Sequence, residues 1–464
     1  MKALQEFASV SSNIPENGDQ LKLYRLAING LSREEAKIQL GVSDKYFNNI
    51  YYQLKDYMMS GVLNHSLSDL TPWQRIQCSI RRNYETAIKL LLLDKKVAGV
   101  PLARTTLRKA EKYGLFQVAL DLCRSLVGIY GSINVNSKQY RFYAERLNYY
   151  MGELQLEVQA ETLFYRYIHK HLTGGFMQGV EEELDKFDQV NSNSHRFHYM
   201  RLICRVMHQQ IVRQDKAMID TCKEAIELFR QYKHVPYILR FSFYYRLVAG
   251  HLAHGEFAQA EIILNQSLKD PKRGGTNWQI LMLHRALLGF HSGKAAIAVD
   301  SYQKAMKVPR KLRTEQIQER WRIIRAYLEL FDRGTGTWRL TKFLNSFPYS
   351  QSDKSGPILS VHIAELLHLL KQNKFEAYRY RCERMTAYID RYLNKKKELV
   401  RFVHFFRLLQ CVVRGGFRRT EAAKKGKIYL NKLHSSTPRI GADVREVEVV
   451  PFERLWEMAL GWLK

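Results

Sequence analysis

Two consecutive segments between Tyr244 and Pro309 repeat one spacing of small and large residues. In the first, Gly255-Glu256-Phe257 forms a turn, Ala260 and Leu264 follow at helical spacing, and Pro271 ends the unit. In the second, Ala286 precedes a turn at Gly293, Ala298, Tyr302 and Ala305 follow it, and Pro309 ends it. Antiparallel helices need small residues where their backbones approach and large ones where side chains fill the gaps. Each segment therefore predicts a helical hairpin. One hairpin cannot bury its own apolar face, so hairpins of this kind must stack on neighbours.

The same turn signature, or a weaker form, recurs along the chain. Thr105–Tyr130 turns at Tyr113-Gly114-Leu115-Phe116 with Ala119 beyond it, and residues 195–232 carry Ala225. Later units turn at Asn373-Lys374-Phe375 with Ala377 and at Gly415-Gly416-Phe417 with Ala422. That makes six hairpins, more than the three or so a stacked core requires. Ala260 and Ala298 lie 38 residues apart. The pattern resembles the tetratricopeptide repeat, whose period is about 34 residues. The resemblance implies an all-α fold, an α-solenoid of stacked hairpins with a concave groove suited to an extended peptide or a helix.

The totals fit this architecture. A chain of 464 residues can hold about three average domains or one long repeat array. Only 10 prolines and 26 glycines interrupt it, which favours long helices over strands and turns. Uninterrupted apolar runs such as Leu90 to Leu93 are too short to span a bilayer. The opening stretch has no continuous apolar core, so no signal peptide is expected. Cys78, Cys123, Cys204, Cys222, Cys382 and Cys411 form no C-x-x-C pair and fall mostly in apolar helical runs. They read as reduced and buried, and the expected location is the cytoplasm, with no membrane partner.

The expected organisation has four parts. Residues 1–20 are a polar lead-in. Residues 21–72 are a small helical unit and a linker, residues 73–440 the solenoid, and residues 441–464 a capping helix with Phe452, Leu455, Trp456, Leu460 and Leu463 on its apolar side. In the small unit, a helix over about Leu21–Asn29 stops at Gly30. A second starts after Ser32, with Glu35 placed for a capping box, and ends at Gly41. Ser43 caps a third, with Phe47, Ile50, Leu54 and Tyr57 on one face. Leu40, Gly41, Val42, Phe47 and Ile50 resemble a helix-turn-helix. The pattern departs at Lys37, where a small residue is usual and Ala36 comes one place early. The resemblance implies a DNA-reading helix presenting Lys45, Asn48, Asn49, Tyr52 and Lys55. Between Arg33 and Met58, however, four basic residues meet four acids, whereas phosphate-binding modules carry excess positive charge. A helical cap that begins the solenoid explains the segment equally well.

No motif points to catalysis. Gly289-Phe290-His291-Ser292-Gly293-Lys294 is one residue short of a phosphate-binding loop, Ala295 stands where Ser or Thr is needed, and the flanks are helical rather than strand-like. His169/His171 and His195/His198 lack metal-ligand spacing on a helix. Glu181, Glu182, Glu183, Asp185 and Asp188 read as a solvated helix face. Neither a catalytic residue, a cofactor site nor a metal site is expected.

Charge is the remaining clue. Lys and Arg number 73 against 45 Asp and Glu, a net charge of +28. From Lys371 to Leu430, 17 basic residues face 5 acids. Arg381, Arg384, Tyr388, Arg391 and Lys395 share a helical face, and Lys396, Lys397, Arg401, Arg418 and Arg419 extend the basic region. A charge run is most often a solvated face, but aromatics interleave with this one. The expected function is a non-enzymatic scaffold or adaptor that binds a protein, peptide or other acidic partner through its groove and a basic C-terminal surface. The alternative is a nucleic-acid-binding transcriptional regulator, with an N-terminal helix-turn-helix and a partner-sensing solenoid.

Overall fold

The structure, a computed structural model, describes residues 18–64, 70–173, 177–212, 214–232, 237–331, 338–347, 356–393, 399–436 and 448–464. Among these residues there are 21 α-helices and no strand. The chain divides into two compact units, Met1–Leu102 and Ala103–Lys464.

The first unit holds α1 (Asp19–Ile28), α2 (Arg33–Leu40), α3 (Asp44–Asn64) and α4 (Pro72–Leu92). Asp19 already opens α1, so the polar lead-in is shorter than expected. Ser32 and Glu35 form the expected capping box, and Gly41 ends α2 in the left-handed region at φ 64°. Leu23, Tyr24, Ala27, Ala36, Phe47, Ile50, Leu54 and Met58 form the core of α1–α3. Met58, one residue beyond the expected Tyr57, completes the buried face of α3, because the core contact continues at i+4 from Leu54. Thr71 and Gln74 cap α4, with Pro72 in its first turn, where the missing N–H costs nothing.

α5 (Lys96–Lys112) runs across the division. The second unit continues with α6 (Phe116–Gly128), the 36-residue α7 (Ser137–Leu172), α8 (Val180–Asp188), α9 (His195–Val212), α10 (Asp215–Gln231), α11 (Tyr237–Ala253) and α12 (Phe257–Ser267). Then come α13 (Thr276–His291), α14 (Ala295–Met306), α15 (Glu315–Leu330), α16 (Leu340–Asn345), α17 (Pro357–Lys371), α18 (Phe375–Tyr392), α19 (Val400–Arg414), α20 (Arg419–His434) and α21 (Phe452–Gly461). Asp332-Arg333-Gly334-Thr335-Gly336 and Gly174-Gly175, where the sequence suggests breaks between helices, and most of the loop-like Ser350–Pro357 lie outside the described residues.

These helices pack as consecutive antiparallel pairs: α9 with α10, α11 with α12, α13 with α14, α17 with α18, and α19 with α20. Alternate helices also touch, in the row α9, α11, α13, α15, α17. This is an α-solenoid of stacked hairpins. The residues singled out by the repeat do the packing: Ala260, Leu264, Ala286, Ala298 and Ala305 are all buried. Gly293 makes its turn at φ 77°, and Gly289 lies inside α13. The stretch that resembles a phosphate loop is therefore a helix end and a hairpin turn.

α21 does more than follow the last hairpin. It packs on α17, α19 and α20. Phe452 stacks on Phe405 with ring centres 4.5 Å apart. Arg454 donates to the Phe290 carbonyl at 3.3 Å and lies 4.7 Å from the Phe331 ring centre, reaching the ends of α13 and α15. Residues 448–464 thus tie together α13, α15, α17, α19 and α20. Phe452, Leu455, Trp456 and Leu463 are buried as expected, Leu460 packs partly buried against the same core, and Ala459 joins them on the buried side of α21.

Backbone contact within a hairpin makes one position sensitive to a single carbon. A Cβ on Gly289 would sit 2.5 Å from the backbone nitrogen of Ala298, whereas a Cβ on Gly152, in α7, would meet nothing within 4 Å. Gly289→Ala should lower stability by about 1–3 kcal/mol through overpacking. Gly152→Ala should raise it by about 0.5–1 kcal/mol through helix propensity. Urea unfolding of both variants beside the parent checks the opposite signs.

Candidate functional site

The stripe expected on α18 is only partly a surface. Arg384 and Arg391 are exposed, each near a tyrosine ring, Tyr380 and Tyr392. Their neighbours on the exposed side include Glu376, Glu383 and Asp390, so little positive charge remains there. Tyr388 is half-buried. Arg381 turns inward, against the expectation of a surface residue. Its Nε lies 2.7 Å from Glu365 Oε2, and Nη2 donates to His362 Nδ1 at 2.7 Å. Burial pushes the pKa of His362 down. Lys395, Lys396 and Lys397 lie outside the described residues.

Arg401 corrects the sequence reading more sharply. It is 8% exposed and belongs to the interior. Nε and Nη2 bind both oxygens of Glu448 at 2.8 and 2.7 Å, and Nη2 also donates to Glu453 at 3.0 Å. Nη1 donates to the Leu433 and Ser436 carbonyls at 2.7 and 2.6 Å. A guanidinium has five N–H groups, and each has a partner here. Glu448 in turn accepts from the Phe452 backbone N–H at 3.1 Å, and its own carbonyl accepts from His291 Nε2 at 3.2 Å. Burial holds the His291 pKa down at about 4, so it is neutral near pH 7. Arg401 therefore fastens the C-terminal segment to α19 and α20 and is not available to a partner.

The exposed positive charge lies on α20 and its approach. Arg418, Arg419, Lys424, Lys425, Lys427 and Lys432 are exposed, and Glu421 is the acid in this helix. Lys425 donates to the Arg414 carbonyl at 2.6 Å. Among the described residues no ion pair engages Arg418, Arg419, Lys424, Lys427 or Lys432. The helix buries Ala422, Gly426 and Leu433, with the Trp456 ring close against Gly426. Lys424, Lys427 and Ile428 then project from the opposite side, and Ile428 is 58% exposed. Arg418 and Arg419 were expected here. The four lysines were not, although Ala422 and Gly426 at i and i+4 mark the packed side and imply its complement.

On α3, Lys45, Asn49, Tyr52 and Lys55 are exposed on one face. Asn48 is half-buried and accepts a hydrogen bond from Arg33. Asp44, which would repel phosphate, pairs with Lys37 at 2.7 Å.

A further polar cluster lies at the start of α9. Ser192 Oγ and the Ser194 backbone N–H donate to Glu153 at 2.6 and 3.1 Å, and Ser194 Oγ donates to Glu157. His198 Nε2 bonds the Ser192 carbonyl at 2.9 Å. Together they fix the loop that starts α9. Burial raises the Glu157 pKa to about 7 and lowers that of His195 to about 4. Among the described residues no group of three or more His, Cys, Asp or Glu is placed to hold a metal ion, and no helix is long and apolar enough to cross a membrane. No protein-family model, curated protein or solved structure matches the chain.

Arg401→Met should strand the Glu448 carboxylate in the interior. The expected loss is about 3–5 kcal/mol, as for a broken buried ion pair. Arg384→Met, on an exposed site, should shift stability by less than about 0.5 kcal/mol. Thermal unfolding followed by circular dichroism compares the two.

Proposed function

We propose that this protein is a non-enzymatic scaffold or adaptor of tetratricopeptide-like organisation that binds an acidic protein partner on the exposed face of α20. The observation that carries this reading is the set of Arg418, Arg419, Lys424, Lys427 and Lys432, exposed and without acidic partners among the described residues. Ile428 stands among them as an apolar anchor, which protein interfaces use alongside charge. Opposed charges speed encounter and select partners, and they do so without a catalytic group. The contacts between α9, α11, α13, α15 and α17 support a stacked row of helices, and residues 448–464 pack on part of it.

A labelled poly-glutamate peptide is the simplest probe. Reversing Lys424, Lys427 and Lys432 to Glu should weaken its binding by at least about tenfold, or about 1.4 kcal/mol. The same reversal of Arg384 and Arg391 should change affinity by less than about threefold, because α18 already carries its own acids. Unchanged affinity in the α20 variant would remove that surface from the account.

A second reading rests on the first unit. Its turn at Gly41 and the face of Lys45, Asn49, Tyr52 and Lys55 support a helix-turn-helix that reads DNA. In that case Lys45→Glu with Lys55→Glu should abolish duplex binding at low salt. Duplex affinity that is indifferent to the pair contradicts this reading and leaves α1–α3 a structural unit.

A further inference from the structure

The loops that join α12 to α13 and α14 to α15 share a sequence that packing does not require. Lys269-Asp270-Pro271-Lys272-Arg273 and Lys307-Val308-Pro309-Arg310-Lys311 match as Lys-x-Pro followed by two basic residues. They are 38 residues apart, in register with Ala260 and Ala298. The repeat therefore carries surface cations along with its buried alanines.

The two loops meet in space. A Cβ on Gly274 would lie 3.1 Å from Val308 Cγ1, and Val308 is buried. Lys269, Lys272, Arg273, Lys307 and Arg310 are exposed around this contact. Asp270, the acid within the two loops, faces Arg240 at 4.0 Å. Arg310 Nε donates to Gln318 and not to a carboxylate.

Helix physics explains part of the pattern and leaves the rest. Proline ends a helix, and a lysine at a helix C-terminus favours the dipole, which accounts for Pro271, Pro309, Lys269 and Lys307. Lys272, Arg273 and Arg310 instead precede the N-termini of α13 and α15, where positive charge opposes the dipole. α13 has no acid in its first turn to offset Lys272 and Arg273, whereas α15 opens on Glu315. These cations add repulsion to the free protein, and a polyanion would remove it.

We propose that these inter-hairpin loops bind the phosphodiester backbone of a nucleic acid. Cations presented once per structural repeat suit a ligand whose charges also repeat, and stacked helical repeats can follow successive nucleotides in this way. An acidic peptide has no such fixed charge spacing. Backbone contacts of this kind are independent of sequence and strongly dependent on salt.

The test uses the full-length protein and a short labelled single-stranded oligonucleotide across a salt series. Reversing Lys272, Arg273 and Arg310 to Glu should weaken binding by about tenfold or more and reduce the log–log salt slope by about 2, at about 0.7 per lost phosphate contact. Reversing Lys424, Lys427 and Lys432 makes the same change in net charge and should leave oligonucleotide affinity within about threefold. Equal losses from both triples would overturn the proposal, since bulk charge would then account for binding. It also fails if the parent does not bind at low salt, or if anionic phospholipid vesicles bind through the loop triple and the oligonucleotide does not. Should charge reversal alter the circular dichroism spectrum, the corresponding Gln triple is read by the same criteria. Poly-glutamate binding to α20 is a separate measurement, so either surface can fail without the other.

Discussion

Contact between backbones inside the hairpins α13–α14 and α19–α20 is a constraint on which the second unit depends. At Gly289 and Ala298, and again at Gly415 and Ala422, a Cβ added to the glycine would lie 2.5 and 2.7 Å from the facing backbone nitrogen. Helices this close cannot slide without meeting each other's main chains. The contact fixes the register of each pair, and the register determines which side chains face the next pair. Exposed faces follow as the complement. Ala422 and Gly426 commit one side of α20 to α19 and α21, which leaves Lys424, Lys427 and Ile428 outside. The inter-hairpin loops are placed by the same packing.

A second constraint acts at the C-terminal end. Residues 448–464 bring Val449, Val450, Phe452, Leu455, Trp456, Ala459 and Leu463 into the core shared with α13 to α20. The buried carboxylate of Glu448 could not be there unpaired, and Arg401 supplies the pairing while also capping carbonyls at the end of α20. Apolar burial provides the gross stabilisation, and the arginine selects where the segment docks. His291, neutral and bonded to the Glu448 carbonyl, joins that docking to α13, far earlier in the chain.

The hairpins were legible because local spacing decides them. Small residues at helical intervals, a turn and a stop lie within one 38-residue window, and the expected units at 195–232 and 244–309 coincide with packed helix pairs, whereas in the unit expected at 105–130 α6 packs on α7 instead. The basic surface was legible in part. Periodicity placed Arg381 and Arg384 on one face of α18, as they are, but cannot say which part of a face a distant segment covers. Glu365 lies on the preceding helix and Glu448 well beyond the following ones, and those two acids draw Arg381 and Arg401 inward. On α20 the charged side could have been read from Ala422 and Gly426. The repeated basic loops were equally present in the sequence, yet only the contact of Gly274 with Val308 shows that they form one surface.

Hydrogen exchange of the full-length protein, with and without saturating poly-glutamate peptide, tests the central claim that function resides on exposed cations of α20. Slower exchange should be confined to Arg419–His434 and its immediate flanks, with α13, α15 and α17 unchanged. Protection appearing on those three helices while α20 remains unaffected, or no change anywhere, would contradict it.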